Sequence, residues 1–109
     1  MNYAKRKDEN QNEIIDEFKS AMPDASVADL SGSGKGIPDV VIGWRGRNYF
    51  FEIKNPNKPK SDQQLTDAQV AFHSNWQGQV FTARSASEMI AEIARIHAPF
   101  EKQFSGRIE

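Results

Sequence analysis

The stretch from Lys35 to Lys54 constrains the fold of this chain more than any other part of the sequence. It contains two runs rich in β-branched and aromatic residues, 40–44 and 49–53, separated by Arg45-Gly46-Arg47-Asn48. Such runs favour strands, and glycine and asparagine readily adopt the positive φ angles that tight turns require. The stretch therefore predicts a β-hairpin.

The predicted hairpin sorts its side chains onto two faces, because successive side chains of a strand alternate. Pairing Trp44 with Tyr49, or closing the hairpin with a two-residue Gly46-Arg47 loop, gives one register. This register places Val41 opposite Glu52 and Asp39 opposite Lys54. One face is then wholly apolar and consists of Val40, Ile42, Trp44, Tyr49, Phe51 and Ile53. The other face carries Asp39, Val41, Gly43, Glu52 and Lys54.

Asp39 and Glu52 are diagonal neighbours in this register, with Cα atoms roughly 7–8 Å apart. Two carboxylates this close repel each other unless a proton, hydrogen bonds or a cation holds them together. Oxygen ligands suit Mg²⁺ or Mn²⁺, and with no cysteine and two histidines a zinc site is disfavoured. Such a cation would activate water toward a phosphodiester, with Lys54 placed to position the water or neutralise charge. The alternative is a structural Asp39–Lys54 ion pair with Glu52 solvated.

Pro38-Asp39, a spacer of twelve residues and Glu52-Ile53-Lys54 resemble the PD-(D/E)xK nuclease signature. Within that superfamily, the segment from 36 to 84 resembles the VRR-NUC family. The resemblance is carried by Gly36-Ile37-Pro38-Asp39, the apolar strand, the Glu-Ile-Lys strand, Leu65-Thr66-Asp67-Ala68-Gln69, a helix, a glycine and a further strand. It implies an α/β fold with a restriction-endonuclease-like PD-(D/E)xK core.

The resemblance also implies a function, that of a Mg²⁺- or Mn²⁺-dependent endodeoxyribonuclease. Asp39 and Glu52, with the backbone carbonyl of Ile53, would bind the metal. Lys54 would hold the attacking water or the charge of the transition state, and Gln69 would face the catalytic pocket. Standalone VRR-NUC proteins resemble structure-selective endonucleases of DNA repair that act on branched DNA such as four-way (Holliday) junctions. A two-fold symmetric junction suits a homodimer with one site per subunit.

The helical segment after residue 65 leaves two roles open for Gln69. Leu65, Gln69, Phe72 and Trp76 recur at helical spacing, which places a glutamine within an apolar stripe. A polar side chain there needs a partner. Thr66 and Gln69 have the spacing of a capping box, so the partner is either the backbone of its own helix or the catalytic pocket.

The net charge of −1 does not by itself favour a nucleic-acid partner, but the basic residues are unevenly distributed. Lys35, Lys58 and Lys60 surround the predicted site and are the candidate contacts to a DNA backbone. Lys35 lies in the Gly/Ser-rich segment 31–36, which lacks the spacing of a phosphate-binding G-x-x-x-x-G-K-[ST] loop. A flexible connector is the alternative interpretation of this segment.

The remaining chain completes one predicted domain over residues 1–109, in the order αβββαβ with a C-terminal helix. We expect a first helix over 8–22, a strand over 25–30, a loop over 55–61, a helix after Thr66, a strand over 79–83 and a final helix from 85. Met89, Ile90, Ile93 and Ile96 would lie on the inner side of that helix. No apolar run is long enough to span a membrane, which predicts a soluble, cytoplasmic protein.

Some assignments remain open at this point. The first helix offers Gln11 near the centre of its apolar face and Glu13 away from it, and the nuclease chemistry prefers a carboxylate. His73 and His97 are isolated, and ordinary surface or packing roles are expected. The aromatic residues beyond Ala98 would pack across a dimer interface or fray. Two other functions compete with the nuclease: a non-catalytic DNA-binding module that keeps the fold, and an assembly protein with an incidental carboxylate pair.

Overall fold

The computed structural model describes the backbone of residues 9–108 and the side chains of residues 10–98. Within this range the chain forms a mixed α/β structure. Its helices are α1 (Glu9–Ala21), α2 (Lys60–Gln63), α3 (Asp67–Asn75) and α4 (Ala86–Ile108). Its strands are β1 (Ser26–Asp29), β2 (Val40–Trp44), β3 (Arg47–Ile53) and β4 (Gln79–Ala83). None of the helices in this range is both long enough and apolar enough to cross a membrane.

The order of the elements agrees with the sequence prediction, with one addition. The short helix α2 begins at Lys60, at the end of the segment predicted to be loop, and follows Pro59. Proline fixes its own φ angle near the helical value and is tolerated just before or at the first turn of a helix. The side chains from Pro99 onward, where the sequence suggested dimer contacts or fraying, lie outside the described side chains.

The four strands form a single sheet in the order β1-β2-β3-β4. The β1–β2 and β2–β3 pairs are antiparallel, whereas β3 and β4 are parallel. A parallel pair needs a connection that returns the chain to the starting edge, and here α2 and α3 supply it. The end of β3, which carries the predicted site, is therefore followed directly by the crossover.

The hairpin is present, but its predicted register is wrong. Val40 pairs with Phe51 and Trp44 pairs with Arg47, so the turn is Arg45-Gly46 and not a loop centred on Gly46-Arg47. Both turn residues have positive φ angles, 49° and 81°, as in the type I′ turn that matches the twist of a two-stranded ribbon. The predicted pairings of Trp44 with Tyr49, Val41 with Glu52 and Asp39 with Lys54 are all displaced by two residues.

A displacement of two residues leaves every side chain on its predicted face, because the side-chain period of a strand is two. The apolar face packs against α1 and α4, and the two helices contact each other. The prediction for the last helix is confirmed, since Met89 and Ile93 are buried and Ile90 and Ile96 pack against the core. The buried core consists of Ile14, Ile15, Phe18, Val40, Ile42, Tyr49, Phe51, Ile53, Ala83, Ala86, Met89 and Ile93.

The opposite face of the sheet is partly covered by α3. Phe50, whose neighbour Phe51 points into the core, turns to this second face and meets two aromatic rings of the α3 segment. Its ring centroid lies 5.6 Å from that of Phe72 and 4.9 Å from that of Trp76. The polar side chains of the hairpin therefore lie in the layer between the sheet and α3.

Candidate functional site

Asp39 and Glu52 face each other across β2 and β3. Asp39 immediately precedes β2, and continuing the observed register one step beyond the Val40–Phe51 pair places it opposite Glu52. Directly opposed Cβ atoms lie about 4.5–5.5 Å apart, against roughly 7–8 Å for a diagonal pair. The corrected register thus brings the two carboxylates closer together than the sequence predicted. Both side chains are buried, with exposed fractions of 2% and 1%.

The position of Asp39 is fixed by hydrogen bonds on both sides. Its carbonyl oxygen accepts the backbone N–H of Leu30 at 2.7 Å, which ties it to the end of β1. Its side-chain Oδ2 accepts the backbone N–H of Ile53 at 2.8 Å. The preceding Pro38 is fully buried and restricts the backbone at the start of the strand. The Pro-Asp pair therefore holds this carboxylate rigidly beside the end of β3.

Lys54 follows β3 and lies on the same face of the sheet as Glu52. Its backbone N–H donates to the carbonyl of Ala83 at 3.0 Å, which extends the pairing with β4. Its side chain is only 8% exposed, and Nζ donates to Oε1 of Gln69 at 3.2 Å. The register displaces Lys54 from the position opposite Asp39, so the predicted cross-strand pair of these two residues is not formed by direct strand pairing.

Gln69 caps its own helix, one of the two roles that the sequence left open, and it also contacts Lys54. Oε1 accepts the backbone N–H of Thr66 at 2.9 Å, and Oγ1 of Thr66 accepts the backbone N–H of Gln69 at 3.2 Å. This reciprocal pair is the predicted capping box. The same oxygen also accepts from Lys54, and Gln69 is 4% exposed. One side chain therefore begins α3 and orients the lysine of the site.

Gly36 allows the first turn of α3 to pack closely against the segment that precedes β2. Its φ angle is +78°, and a Cβ atom added there would lie 2.1 Å from the carbonyl oxygen of Ala68 and 2.9 Å from the backbone nitrogen of Gln69. The end of the Gly/Ser-rich segment thus packs directly on the first turn of α3, where only glycine fits. This close packing argues against a freely flexible connector at Gly36, while the preceding Lys35 is exposed.

The donor set fits a hard divalent cation. Two opposed carboxylates and the backbone carbonyl of Ile53 are oxygen ligands of the kind that Mg²⁺ and Mn²⁺ prefer, and Mg²⁺ commonly keeps several water ligands. The described residues contain no group of three or more His, Cys, Asp or Glu side chains placed to hold a metal. A cation bound at this site would have the carboxylates of Asp39 and Glu52 as its acidic ligands.

Comparison of the chain with protein-family models, with curated proteins and with solved structures finds no match. The functional interpretation accordingly depends on the chemistry of the site.

His73 lies beside the site, which the sequence analysis did not anticipate. It follows Gln69 by four residues on α3, so the two side chains share one face of the helix. The ring is half-buried, and its Nε2 atom is buried without a hydrogen-bond partner in the described part of the chain. Burial lowers the pKa of His73 below 6.5, and the positive charge of Lys54 lowers it further. The spacing of four residues from Gln69 could have predicted from the sequence that His73 lies on the same helix face.

Arg84 is a second residue that the sequence analysis missed. It follows Ala83, the β4 partner of Ile53, so alternation places it on the face that carries Glu52 and Lys54. Its Nε donates to Oε1 of Gln63 at 2.8 Å. A cavity of about 480 Å³ is lined by Lys60, Gln63, Gln64 and Arg84.

The three predicted DNA-contacting lysines are exposed and occupy two segments near the site. Lys58 and Lys60 follow Lys54 in the crossover, and Lys60 lines the cavity shared with Arg84. Lys35 directly precedes Gly36, which touches α3, and itself has a positive φ of 58°. The lysines thus lie on the segments that enter and leave the hairpin, Lys35 and Lys58 in loops and Lys60 at the start of α2.

On the first helix, the structure distinguishes Gln11 from Glu13. Gln11 is 2% exposed and lies on the buried face with Ile14, Ile15 and Phe18, as the periodicity predicted, whereas Glu13 is exposed. Gln11 Nε2 is buried without a hydrogen-bond partner among the described residues.

His97, at the other end of the fold, has the packing role expected of it. It is buried, and its ring centroid lies 4.8 Å from that of Trp44.

Proposed function

We propose that this chain is a metal-dependent nuclease of the PD-(D/E)xK type, similar to VRR-NUC proteins, that hydrolyses phosphodiester bonds in DNA. The observation that carries the proposal is the opposed pair of buried carboxylates, Asp39 and Glu52, with buried Lys54 on the same face. Burying a carboxylate costs free energy unless hydrogen bonds or a cation compensate it. Metal-dependent phosphodiester hydrolysis needs carboxylates that bind the cation and a positively charged group beside them. Two buried carboxylates and a lysine at one end of the sheet provide these groups.

Each residue has a distinct role in the proposed reaction. Asp39, Glu52 and the carbonyl of Ile53 would hold Mg²⁺ or Mn²⁺. The ion, when bound, supplies positive charge that activates water and offsets charge developing on phosphorus. Lys54 would orient the attacking water or stabilise the transition state through its ammonium group. Gln69 is a positioning residue, because it holds Nζ of Lys54 at 3.2 Å from its own side-chain oxygen.

The surface around the site suits a polyanionic substrate. Lys35, Lys58, Lys60 and Arg84 would contact the DNA backbone on either side of the scissile phosphate, and such contacts give affinity without sequence specificity. As the substrate class we propose branched DNA, including four-way junctions. A homodimer would place one site on each of two symmetric strands.

Lys35 offers a test of the backbone contacts that is separate from the metal site. Lys35→Ala should weaken DNA binding and leave Mn²⁺ binding unchanged. The reverse result would remove Lys35 from this role.

The decisive experiment is cleavage of labelled four-way junction, flap and linear duplex DNA in Mg²⁺ and in Mn²⁺. Asp39→Asn should abolish cleavage while keeping the fold, since an amide oxygen can still accept the Ile53 N–H. Glu13→Gln, which removes an exposed carboxylate of α1, is the matched control and should cleave normally. Paired symmetric cuts in the junction would support a dimeric resolvase. Cleavage retained by Asp39→Asn would contradict the site.

A second candidate is a DNA-binding module that keeps the fold without catalysis. The observation that favours it is Gln11, a buried amide on the face of α1 where the nuclease chemistry prefers a carboxylate. This candidate predicts DNA binding without cleavage of any substrate in Mn²⁺. Gln11→Glu would then be the first variant to test for gain of cleavage.

A further inference from the structure

A cavity next to the proposed site has no role in the chemistry described above. It has a volume of about 430 Å³ and lies near the turn end of the hairpin. Its walls combine apolar, aromatic and polar groups: Val41, Gly46, Arg47, Asn48, Phe50, Trp76, Gly78 and Gln79. Trp76 is 45% exposed, an unusual state for so large an apolar side chain.

The indole of Trp76 contacts two aromatic rings, and the residue remains 45% exposed. Phe72 stacks on it with an interplanar angle of 12° and a centroid distance of 5.2 Å. If Phe50 lay over the other face, the Phe50 and Phe72 rings would be separated by nearly the sum of their distances to the indole. They are only 5.6 Å apart, so Phe50 lies at the side of the stack. Phe50 and Phe72 therefore do not sandwich the indole, and Gly78 lies against its Nε1 atom, where an added Cβ would be 2.9 Å away.

The cavity lies two residues along the strands from the proposed metal ligands Asp39 and Glu52. Val41 follows Asp39 by two residues and Phe50 precedes Glu52 by two, so all four side chains share one face of the sheet. Two residues of a strand span about 7 Å, which is close to the length of one nucleotide in an extended strand. A strand with its scissile phosphate at Asp39 and Glu52 would therefore bring a neighbouring base to this cavity.

We propose that the cavity binds one unpaired nucleobase, stacked on Trp76, next to the scissile phosphate. The inference builds on the proposed nuclease function and narrows its substrate to strands with an unpaired nucleotide beside the cleavage position. An unpaired base has a planar face for the indole and a polar edge for the side-chain amide of Asn48, which lies on the same strand face as Phe50.

The experiment uses flap DNA with a single 2-aminopurine placed at successive positions of the unpaired arm, bound to the Asp39→Asn protein. Stacking should quench the fluorescence at one position adjacent to the cleavage site of the wild type. Trp76→Ala should remove this quenching and weaken flap binding by roughly tenfold, while binding of fully paired duplex stays the same. Trp76→Phe should retain most of the effect.

Val70→Ala is the matched control, because Val70 is, like Trp76, an exposed apolar residue and lies on the neighbouring α3 at 47% exposure. It should change neither quenching nor binding. If Trp76→Ala does not fold, Val41→Phe provides a second variant that fills the cavity and leaves Trp76 in place, and it should cause the same loss.

Two negative outcomes are distinguishable. Absence of position-specific quenching, in a protein that binds and cleaves flap DNA in Mn²⁺, would overturn the base-binding cavity and leave the nuclease function intact. Absence of both DNA binding and cleavage would overturn the nuclease function itself, and the base-binding cavity with it.

Discussion

The side-chain oxygen of Gln69 joins Lys54 to the first turn of α3. It accepts a hydrogen bond from Nζ of the lysine at 3.2 Å. The same oxygen also accepts the backbone N–H of Thr66 and so completes the cap of its own helix. The two residues are fifteen positions apart and belong to different layers of the fold. The start of a helix and the orientation of a buried ammonium group are therefore set by one amide.

This shared oxygen predicts different effects for two changes in the capping box. Thr66→Ala removes the cap hydroxyl and should lower the free energy of unfolding by about 1 kcal/mol, with little effect on cleavage. Gln69→Ala also removes the acceptor of Lys54 and should lower stability by about 1–3 kcal/mol and cleavage by about tenfold or more. Urea unfolding and single-turnover cleavage measure the two quantities. Equal effects of both changes on cleavage would exclude the positioning role of Gln69.

Gly36 should be the least replaceable of three glycines in the same segment. Gly36→Ala combines a positive φ with a collision against the Ala68 carbonyl, and we expect a loss of about 2–5 kcal/mol. Gly32→Ala and Gly34→Ala share the positive φ, but no atom lies within 4 Å of an added Cβ, so each should lose only about 1–2 kcal/mol. Thermal or urea unfolding of the three variants gives the comparison. Similar losses for all three would show that contact with α3 is unimportant.

Lys54→Met should separate stability from activity. The change keeps a side chain of similar length but removes the ammonium group beside two buried carboxylates and the donor to Gln69, so stability should fall by only about 1–3 kcal/mol. Cleavage should be abolished, because no other group at this position carries the charge. Lys19→Met, an exposed lysine of α1, is the control and should change neither property. A Lys54→Met protein that still cleaves would remove the lysine from the mechanism.

His73 should make stability depend on pH. Burial and the nearby charge of Lys54 hold its pKa below 6.5, so the unfolded chain binds this proton more readily than the folded protein. The stability that comes from the neutral ring is present above pH 6.5 and is lost as the pH falls through 6.5 toward the lower pKa of the folded state. Unfolding experiments between about pH 5 and 8 should show this loss in the wild type.

The matching control for this prediction is His73→Gln, in which the pH-dependent component should be absent. In the Lys54→Met protein the pKa of His73, followed by its imidazole proton resonances, should rise toward the ordinary value. An unchanged pKa in that variant would show that the lysine does not influence the histidine.

Much of this fold could be read from the sequence, because the features concerned are local. Alternation along 40–44 and 49–53 assigns each side chain to a face, and this assignment survives the two-residue error in register. For the same reason Asp39, Glu52 and Lys54 were correctly placed together on one face. The periodicity of α1 likewise predicted that Gln11, and not Glu13, is buried.

The sequence by itself determined which residues share a strand face or a helix face, since those relationships depend on backbone periods of two and 3.6 residues. Only the tertiary structure decided how the faces meet. The choice of Arg45-Gly46 for the turn sets Asp39 directly opposite Glu52. The contact of Gly36 with α3 and the parallel β3–β4 pairing bring Gln69, His73 and Arg84 to the site. The Gly36 contact and the β3–β4 pairing join residues distant in sequence, and no local pattern encodes them.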